Sequence, residues 1–270
     1  MTASTDSPCR SWQTSPLDDA REYLAEKKIA ALLRDSIDAW EKWIKRTAGG
    51  ISMESFPVLW PLIRESFARR NLIVHTGGVV NHLYIDIVRK LDFPEPMEIP
   101  IGVKVTVDER YLDWVSQELL ALGLILGCAV GAKLHKKEND LFRLTAVSVA
   151  RELATKRAWH ACAAICTYAL SCHPNRADEV QLRVRRWLAR REIDGIDSVR
   201  AEIEEWDTSG LDQSLSHYKP ILLKDTEKAV TEIHALISAN KLSKFELAFD
   251  PIYEDFIEQV LPGDGARGER

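Results

Sequence analysis

Residues 69–78 read RRNLIVHTGG, and the reading of this stretch organises the rest of the chain. Two arginines and an asparagine lead into an aliphatic triplet. One histidine follows, and two glycines close the stretch. The glycines mark a helix end, because glycine takes the left-handed backbone that ends helices without steric cost. At about 100° per residue, Arg70 and His75 lie roughly 140° apart on such a helix, whereas Asn71 and His75 share a face. Asn71 is therefore expected to orient the imidazole. Arg70 has to reach around the helix, or His75 has to sit where it unwinds.

Helices extend on both sides. From Pro16, the run LDDAREYLAEKKIAALLRDSIDAWEKWIKRTAGG predicts one long amphipathic helix, with Leu24, Leu32, Leu33, Ile37, Trp40 and Ile44 at three- and four-residue steps. A second helix is expected from about Ser55 to His75. Pro57 falls in its first turn, and Pro61 is the alternative start. VVNHLYIDIVRKL reads as a shorter helix, LDFPEPMEIPIG as a proline-punctuated loop, and VKVTVD as a short strand or extended segment. DERYLDWVSQELLALGLILGCAVGAKL is a long apolar helix. Its 14-residue apolar run, 119–132, is shorter than the roughly 20 residues of a membrane span, so it is read as buried. Gly123, Gly127 and Gly131 lie four apart on it. They suit close packing of a neighbouring helix or, alternatively, a symmetric subunit contact.

The charged segment HKKENDL (135–141) is read as a hinge. The sequence thus divides into a disordered start (1–16), a helical bundle (17–135), a helical hairpin or repeat-like half (141–260) and a flexible tail (261–270). The expected fold class is all-α. Residues 225–256, DTEKAVTEIHALISANKLSKFELAFDPIYEDF, resemble the last helical pair of a tetratricopeptide-type array, without a clear 34-residue period.

Composition sets outer limits. The 270 residues are 46% hydrophobic and 29% charged, with net charge −5, so no overall positive field points to nucleic acid. The odd set Cys9, Cys128, Cys162, Cys166 and Cys172 suits a reducing compartment. The first residues lack the basic start and apolar run of a signal peptide. The expectation is a soluble cytoplasmic protein.

Chemically, an arginine–histidine pair at a helix end suits cleavage of an RNA phosphodiester. Histidine transfers protons near neutral pH, while a guanidinium holds the phosphate and stabilises added charge in the transition state. No metal or cofactor is required. One histidine cannot readily be both base and acid, and a two-fold dimer supplies the second. On spacing alone, the plainer reading is a histidine placed favourably against a helix dipole beside a solvated arginine.

RRNLIVHTGGVVNHLYI resembles the HEPN family (higher eukaryote and prokaryote nucleotide-binding), whose hallmark is Arg, four to six residues, then His, commonly with Asn after the Arg. Arg70, Asn71 and His75 match it. Glu65, Gly78 and Tyr84 fit the solo prokaryotic members, as does the order of long helix, proline loop and GVKVTVDERYLDWV leading into a final helix. The resemblance covers about residues 17 to 134. It implies a dimerising helical bundle that cuts RNA, with tRNA as one candidate, in the manner of a toxin or an effector of anti-phage defence. Arg70 and His75 would be catalytic, with Asn71, Glu65 and Arg69 in support. Where the subfamily paired with nucleotidyltransferase antitoxins carries tyrosine two residues after the histidine, this chain has Gly77.

Two further clusters have competing readings. RVRRWLARR (183–191) places Arg183, Arg186 and Arg190 on one helix face. That face is either solvated or a phosphate-holding patch through which the C-terminal helices grip RNA. His160, Cys162, Cys166, Cys172 and His173 invite a metal reading, but no second cysteine pair at ligand spacing follows, and buried structural cysteine is the ordinary alternative. No Walker loop, HExxH or GxSxG occurs. The alternative to an enzyme is a catalytically silent dimer whose C-terminal helices hold a protein partner or antitoxin.

Overall fold

The computed structural model describes residues 16–32, 35–93, 99–134 and 139–261. The expectations for the start of the chain and for the tail fall outside these, as do residues 135–138 of the charged segment. Among the described residues the fold is all-α. The one extended pairing is a lone antiparallel bridge between Val79 and Lys104, where VKVTVD passes the chain leaving residues 69–78.

The long first helix is in fact two: α1 (Pro16–Leu32) and α2 (Ile37–Thr47). The break comes from capping chemistry. Ser36 has extended backbone (φ −71°, ψ 160°), and its hydroxyl accepts from Ala39 N, which starts a new helix at Ile37. The Trp40 indole donates to Leu32 O and satisfies a carbonyl at the end of α1. α1 lies on the surface, with Tyr23, Leu24 and Ile29 all exposed, so Leu24 does not continue the apolar face of α2.

The next helix, α3 (Trp60–Thr76), starts with Pro61 in its first turn. Its N-terminus has no cap of its own. Glu118, from α5 (Glu109–Leu134), accepts from Leu59 N at 2.7 Å instead. A short α4 (His82–Val88) follows, capped by Asn81. Arg64 binds Asp38 (3.0 and 3.2 Å) and ties α3 to α2. Buried Glu41 accepts from the Ser52 hydroxyl and Met53 N, which fixes the loop between them.

One core joins Ile37, Ile44, Trp60 and Ile63 to Ala121 and Ile125 of α5. It continues into Ala150 and Leu153 of α6 (Asn139–Thr155), Cys162 and Ile165 of α7 (Trp159–Ser171) and Leu182 of α8 (Arg176–Asp194). Apolar packing therefore runs across the 135–141 segment. A second core gathers Val184 and Trp187 of α8 with α9 (Arg200–Glu204), α11 (Tyr218–Leu222), α12 (Thr226–Ser238), α13 (Lys244–Phe249) and α14 (Ile257–Val260). The short α10 (Gln213–Ser216) leads into α11. Successive helices in this half turn back on residues at positive φ: Arg157, His173, Lys224 and Asn240. Beside three of them the same closing bond recurs: Ala158 N to Leu153 O, Asp225 N to Pro220 O and Lys241 N to Leu236 O.

α5 is buried on one face only. Leu112, Leu120 and Leu134 are exposed, and side chains added at Gly123 or Gly127 would meet nothing within 4 Å. Among the described residues there is therefore no close-packed neighbour at these two glycines. By length and composition α5 could cross a membrane: its most apolar window has mean hydropathy 1.7, with 33% of it buried in the fold.

Two buried polar groups lock the C-terminal half. Arg185 on α8 makes a two-pronged pair with Asp250, its side chain 2% exposed. His217 faces Gln213 O (3.2 Å) with Nδ1 and the Tyr253 hydroxyl (2.8 Å) with Nε2. A carbonyl only accepts, so Nδ1 carries the proton and Nε2 accepts from Tyr253. Burial holds the His217 pKa down to about 4, against a partial opposing pull from the backbone of Gln213 and Ser214 and then from Asp250. Because the folded value lies below the unfolded one, this group's contribution is full above pH ~6.5 and is lost as pH falls through about 4. The loss should amount to about 3 kcal/mol. Urea denaturation at pH 7 and pH 4 should show it, and His217→Gln should flatten the pH slope. An unchanged slope in that variant would assign the acid sensitivity to other groups.

Candidate functional site

The site is built at the C-terminal end of α3. Six residues of this helix are buried: Trp60, Leu62, Ile63, Glu65, Arg69 and Leu72. Glu65 is an acid on an otherwise apolar face and is 0% exposed, so the fold has to supply donors. Three converge on it. Arg69 Nε donates to Oε1 at 2.7 Å, one turn along the same helix. The Tyr84 hydroxyl of α4 donates to Oε1 at 2.5 Å, and the Tyr111 hydroxyl of α5 donates to Oε2 at 2.7 Å. Arg69 also donates to Thr106 O at 2.9 Å and lies 4.1 Å from the centre of the Tyr111 ring.

The electrostatics follow the geometry. Burial, then the hydrogen bond to Glu65 and its charge, raise both tyrosine pKa values. Burial alone would lower that of Arg69, but the charge of Glu65, its hydrogen bond and the two tyrosines together outweigh it, and the net shift is upward. Glu65 is thus an anchor inside the bundle with no surface to offer a substrate, and Arg69, its side chain 11% exposed, is held inward beside it.

The next residue turns outward. Arg70, Asn71 and His75 are all exposed. Arg70 Nη1 donates to Asn71 Oδ1 at 3.1 Å. The expected Asn71–His75 bond gives way to this one, and among the described residues no hydrogen bond or ion pair reaches the His75 ring. α3 keeps its helical form through His75 and ends one residue later. Gly77 is left-handed (φ 64°, ψ 20°), and Gly77 N and Gly78 N both reach back to Leu72 O. Gly78 (φ 85°) then lets its carbonyl accept from Val105 N, while Val80 exchanges bonds with Val103 O and Gly102 N. The chain after His75 is stapled down, so the imidazole sits on a fixed backbone.

Beside Arg70 and Asn71 opens a groove of about 1160 Å³. Ile73, Val74, Ile87 and Leu112 line it, all exposed. His75 is not part of its wall.

The second candidate patch has a different character. Arg183 pairs with Glu179 at 2.8 Å. Arg186 and Arg190 both pair with Glu202, which also accepts from the Trp187 indole, and Arg190 further donates to Ser198 O. All three arginines are paired within the chain and share two carboxylates, Glu179 and Glu202. Cys162 and Cys166 are fully buried, and among the described residues no group of three or more His, Cys, Asp or Glu side chains is arranged to hold a metal ion. Sequence reasoning missed Tyr111. The available signal was the acid at Glu65, in register with buried apolar positions, which obliges hydroxyl or cationic donors on the neighbouring helices.

The division between anchors and presented groups is measurable. Glu65→Ala should destabilise the chain by about 3 kcal/mol or more, since it leaves Arg69 buried without its carboxylate. Arg70→Ala, Asn71→Ala and His75→Ala should each stay within about 0.5 kcal/mol of the parent. Chemical denaturation of the four variants tests this. A large loss at Arg70 or His75 would make them structural.

Set against known families, curated proteins and solved structures, the sequence matches no family model, and no curated protein or solved structure proves similar to it.

Proposed function

We propose that this chain is a metal-independent endoribonuclease of HEPN type, working as a homodimer, in bacterial anti-phage defence or as a toxin. The observation that carries the reading is the split within one helix. Glu65 and Arg69 are locked inside, while Arg70, Asn71 and His75 stand exposed on the rigid last turns. Arg70 would hold the scissile phosphate, steadied by its bond to Asn71. His75 would take the proton from a ribose 2′-hydroxyl, which attacks the adjacent phosphate and expels the 5′-oxygen of the next nucleotide. Protonation of that leaving oxygen falls to the second His75 of the dimer. The apolar groove beside Arg70 is the natural subunit contact, since exposed apolar patches of this kind mark association surfaces.

In EDTA, the purified chain should cut total RNA or tRNA, leaving a 2′,3′-cyclic phosphate. His75→Ala and Arg70→Ala should each lose about 100-fold or more in rate. Equal cutting by parent and variants would reject the assignment. Val74→Asp adds a charge to the groove wall at a residue 58% exposed, so the subunit fold should survive. It should shift the sedimenting species to monomer and depress cleavage with it.

One finding favours a second reading, a silent scaffold that binds a protein. The arginines of α8 are paired within the chain, to Glu179 and Glu202, and so are less free to hold phosphate, while the groove remains apolar. A defined protein partner that co-purifies, together with no RNA cleavage by the parent, would move the conclusion there.

A further inference from the structure

A pocket of about 410 Å³ opens in the C-terminal half, away from Arg70 and His75 and within the size range of small-molecule sites. Its floor is aromatic. The His217 ring centre lies 4.0 Å from that of Tyr218 and 6.0 Å from that of Tyr253, with which it is nearly parallel. All three rings are buried, as are Leu236 and Leu242 beside them. His217 Nε2 and the Tyr253 hydroxyl satisfy each other at 2.8 Å. The floor therefore suits an apolar body rather than a strongly polar one. The mouth is aromatic too. Phe245 and Phe249, one turn apart on α13, are 69% and 61% exposed, and their ring centres are 4.4 Å apart. Two large rings held together in water favour a flat apolar surface that covers both.

The charged groups that line the pocket sort by what already holds them. Asp250 is locked to Arg185. Lys241 pairs with Asp212 at 3.1 Å. Glu246 Oε2 accepts from the amide and the hydroxyl of Ser243, at 3.1 and 2.9 Å, and so caps its own helix. Arg151 of α6 is different. It lines the pocket, yet among the described residues no hydrogen bond or ion pair reaches its guanidinium. Glu246 senses it only as a nearby charge, after the stronger pull of Ser243. The half-buried Gln181 amide of α8 also lines the pocket without a hydrogen bond among the described residues. The walls are held together independently of any ligand, since Arg157, just after α6, pairs with Glu254, just after α13, at 2.7 Å.

We propose that this pocket binds a small planar aromatic carboxylate, with its ring against Phe245 and Phe249 and its carboxylate on Arg151. The guanidinium fork matches the two oxygens of a carboxylate and stays charged at every working pH. Gln181 supplies one further donor to the same end of the ligand. Selection then has two separable parts. The rings choose flat apolar bodies, and Arg151 chooses the negative charge. A neutral molecule of the same shape keeps the first contribution and loses the second. The bound ligand bridges α6 to α13 and so closes the end of the pocket that now faces water.

The test uses the full chain and two probes of one shape, 2-naphthoate and the neutral 2-naphthamide, in equilibrium dialysis. The parent should bind one naphthoate per chain with a Kd of roughly 0.1 mM, and the amide about 10-fold more weakly. At ten times its Kd, naphthoate should raise the melting temperature by roughly 3–6 °C. Arg151→Gln should weaken naphthoate about 10-fold and leave naphthamide within about 2-fold. Phe245→Ser combined with Phe249→Ser should weaken both probes about 10-fold or more. All three side chains are exposed, so the unliganded variants should melt close to the parent. No saturable binding of naphthoate by the parent, or equal affinity for the two probes, would overturn the proposal. So would affinity that survives the phenylalanine changes and falls instead with Val74→Asp in the groove beside Arg70. None of these readouts depends on RNA cleavage.

Discussion

The bundle depends on one carboxylate. Glu65 occupies an apolar register position of α3, where an unpaired acid would be costly, and each of its oxygens is met by a donor from elsewhere in the chain. The donors come from α3 itself, α4 and α5, so a single group sets how three helices meet. Arg69 extends the arrangement to the carbonyl of Thr106, the segment that pairs with the chain leaving α3. Such a network is stable only when complete, because low local polarity strengthens made bonds and penalises missing ones alike. Its functional consequence is directional. With Arg69 pulled inward, the ~100° helical step turns Arg70 outward on a backbone that cannot rotate away.

Much of this frame was legible because local chemistry decides it. Pro61 in the first turn and Gly77 in the left-handed region fix the ends of α3, and the apolar length of 109–134 marks α5. Elsewhere the decisive groups were less conspicuous. Ser36 interrupts a continuous apolar periodicity, and a cap that satisfies several end groups prevailed over a pattern consistent with one long helix. The turns at Arg157 and Lys224 were hidden differently. Left-handed positions normally announce themselves through glycine, and here long cationic side chains hold them. Arg157 pairs with Glu254 and Lys224 with Asp255, contacts nearly a hundred and some thirty residues away that offset local strain.

The candidate site divides along the same line. Helical phase alone put Arg70 and His75 on different faces and the glycines just beyond, and the structure keeps both features. Phase could not choose a partner for Asn71, which is within reach of His75 one turn on and of Arg70 next to it. The shorter-range charge-assisted bond to Arg70 won. The arginine stripe of α8 shows the converse, partners that lie outside a local window. A local window shows five positive charges around Trp187. It does not show Glu202, which folds back to collect Arg186, Arg190 and the indole together.

α5 ties these observations together. Its inner face carries Glu118 to the start of α3, Tyr111 to Glu65 and Gln117 to α7, so it is the shared wall of the N-terminal bundle and the hairpins behind it. Its outer face keeps leucines and bare glycines in the open, and the apolar groove beside Arg70 begins at the same helix. Water penalises that exposure, whereas a second apolar surface would relieve it. The chemistry proposed for His75 asks separately for a second copy, since one imidazole cannot both take and give the proton in a single step. A demand from surface energetics and a demand from proton balance thus fall on neighbouring surfaces of one subunit. That coincidence, more than the arginine–histidine spacing, weights the reading toward a dimeric enzyme.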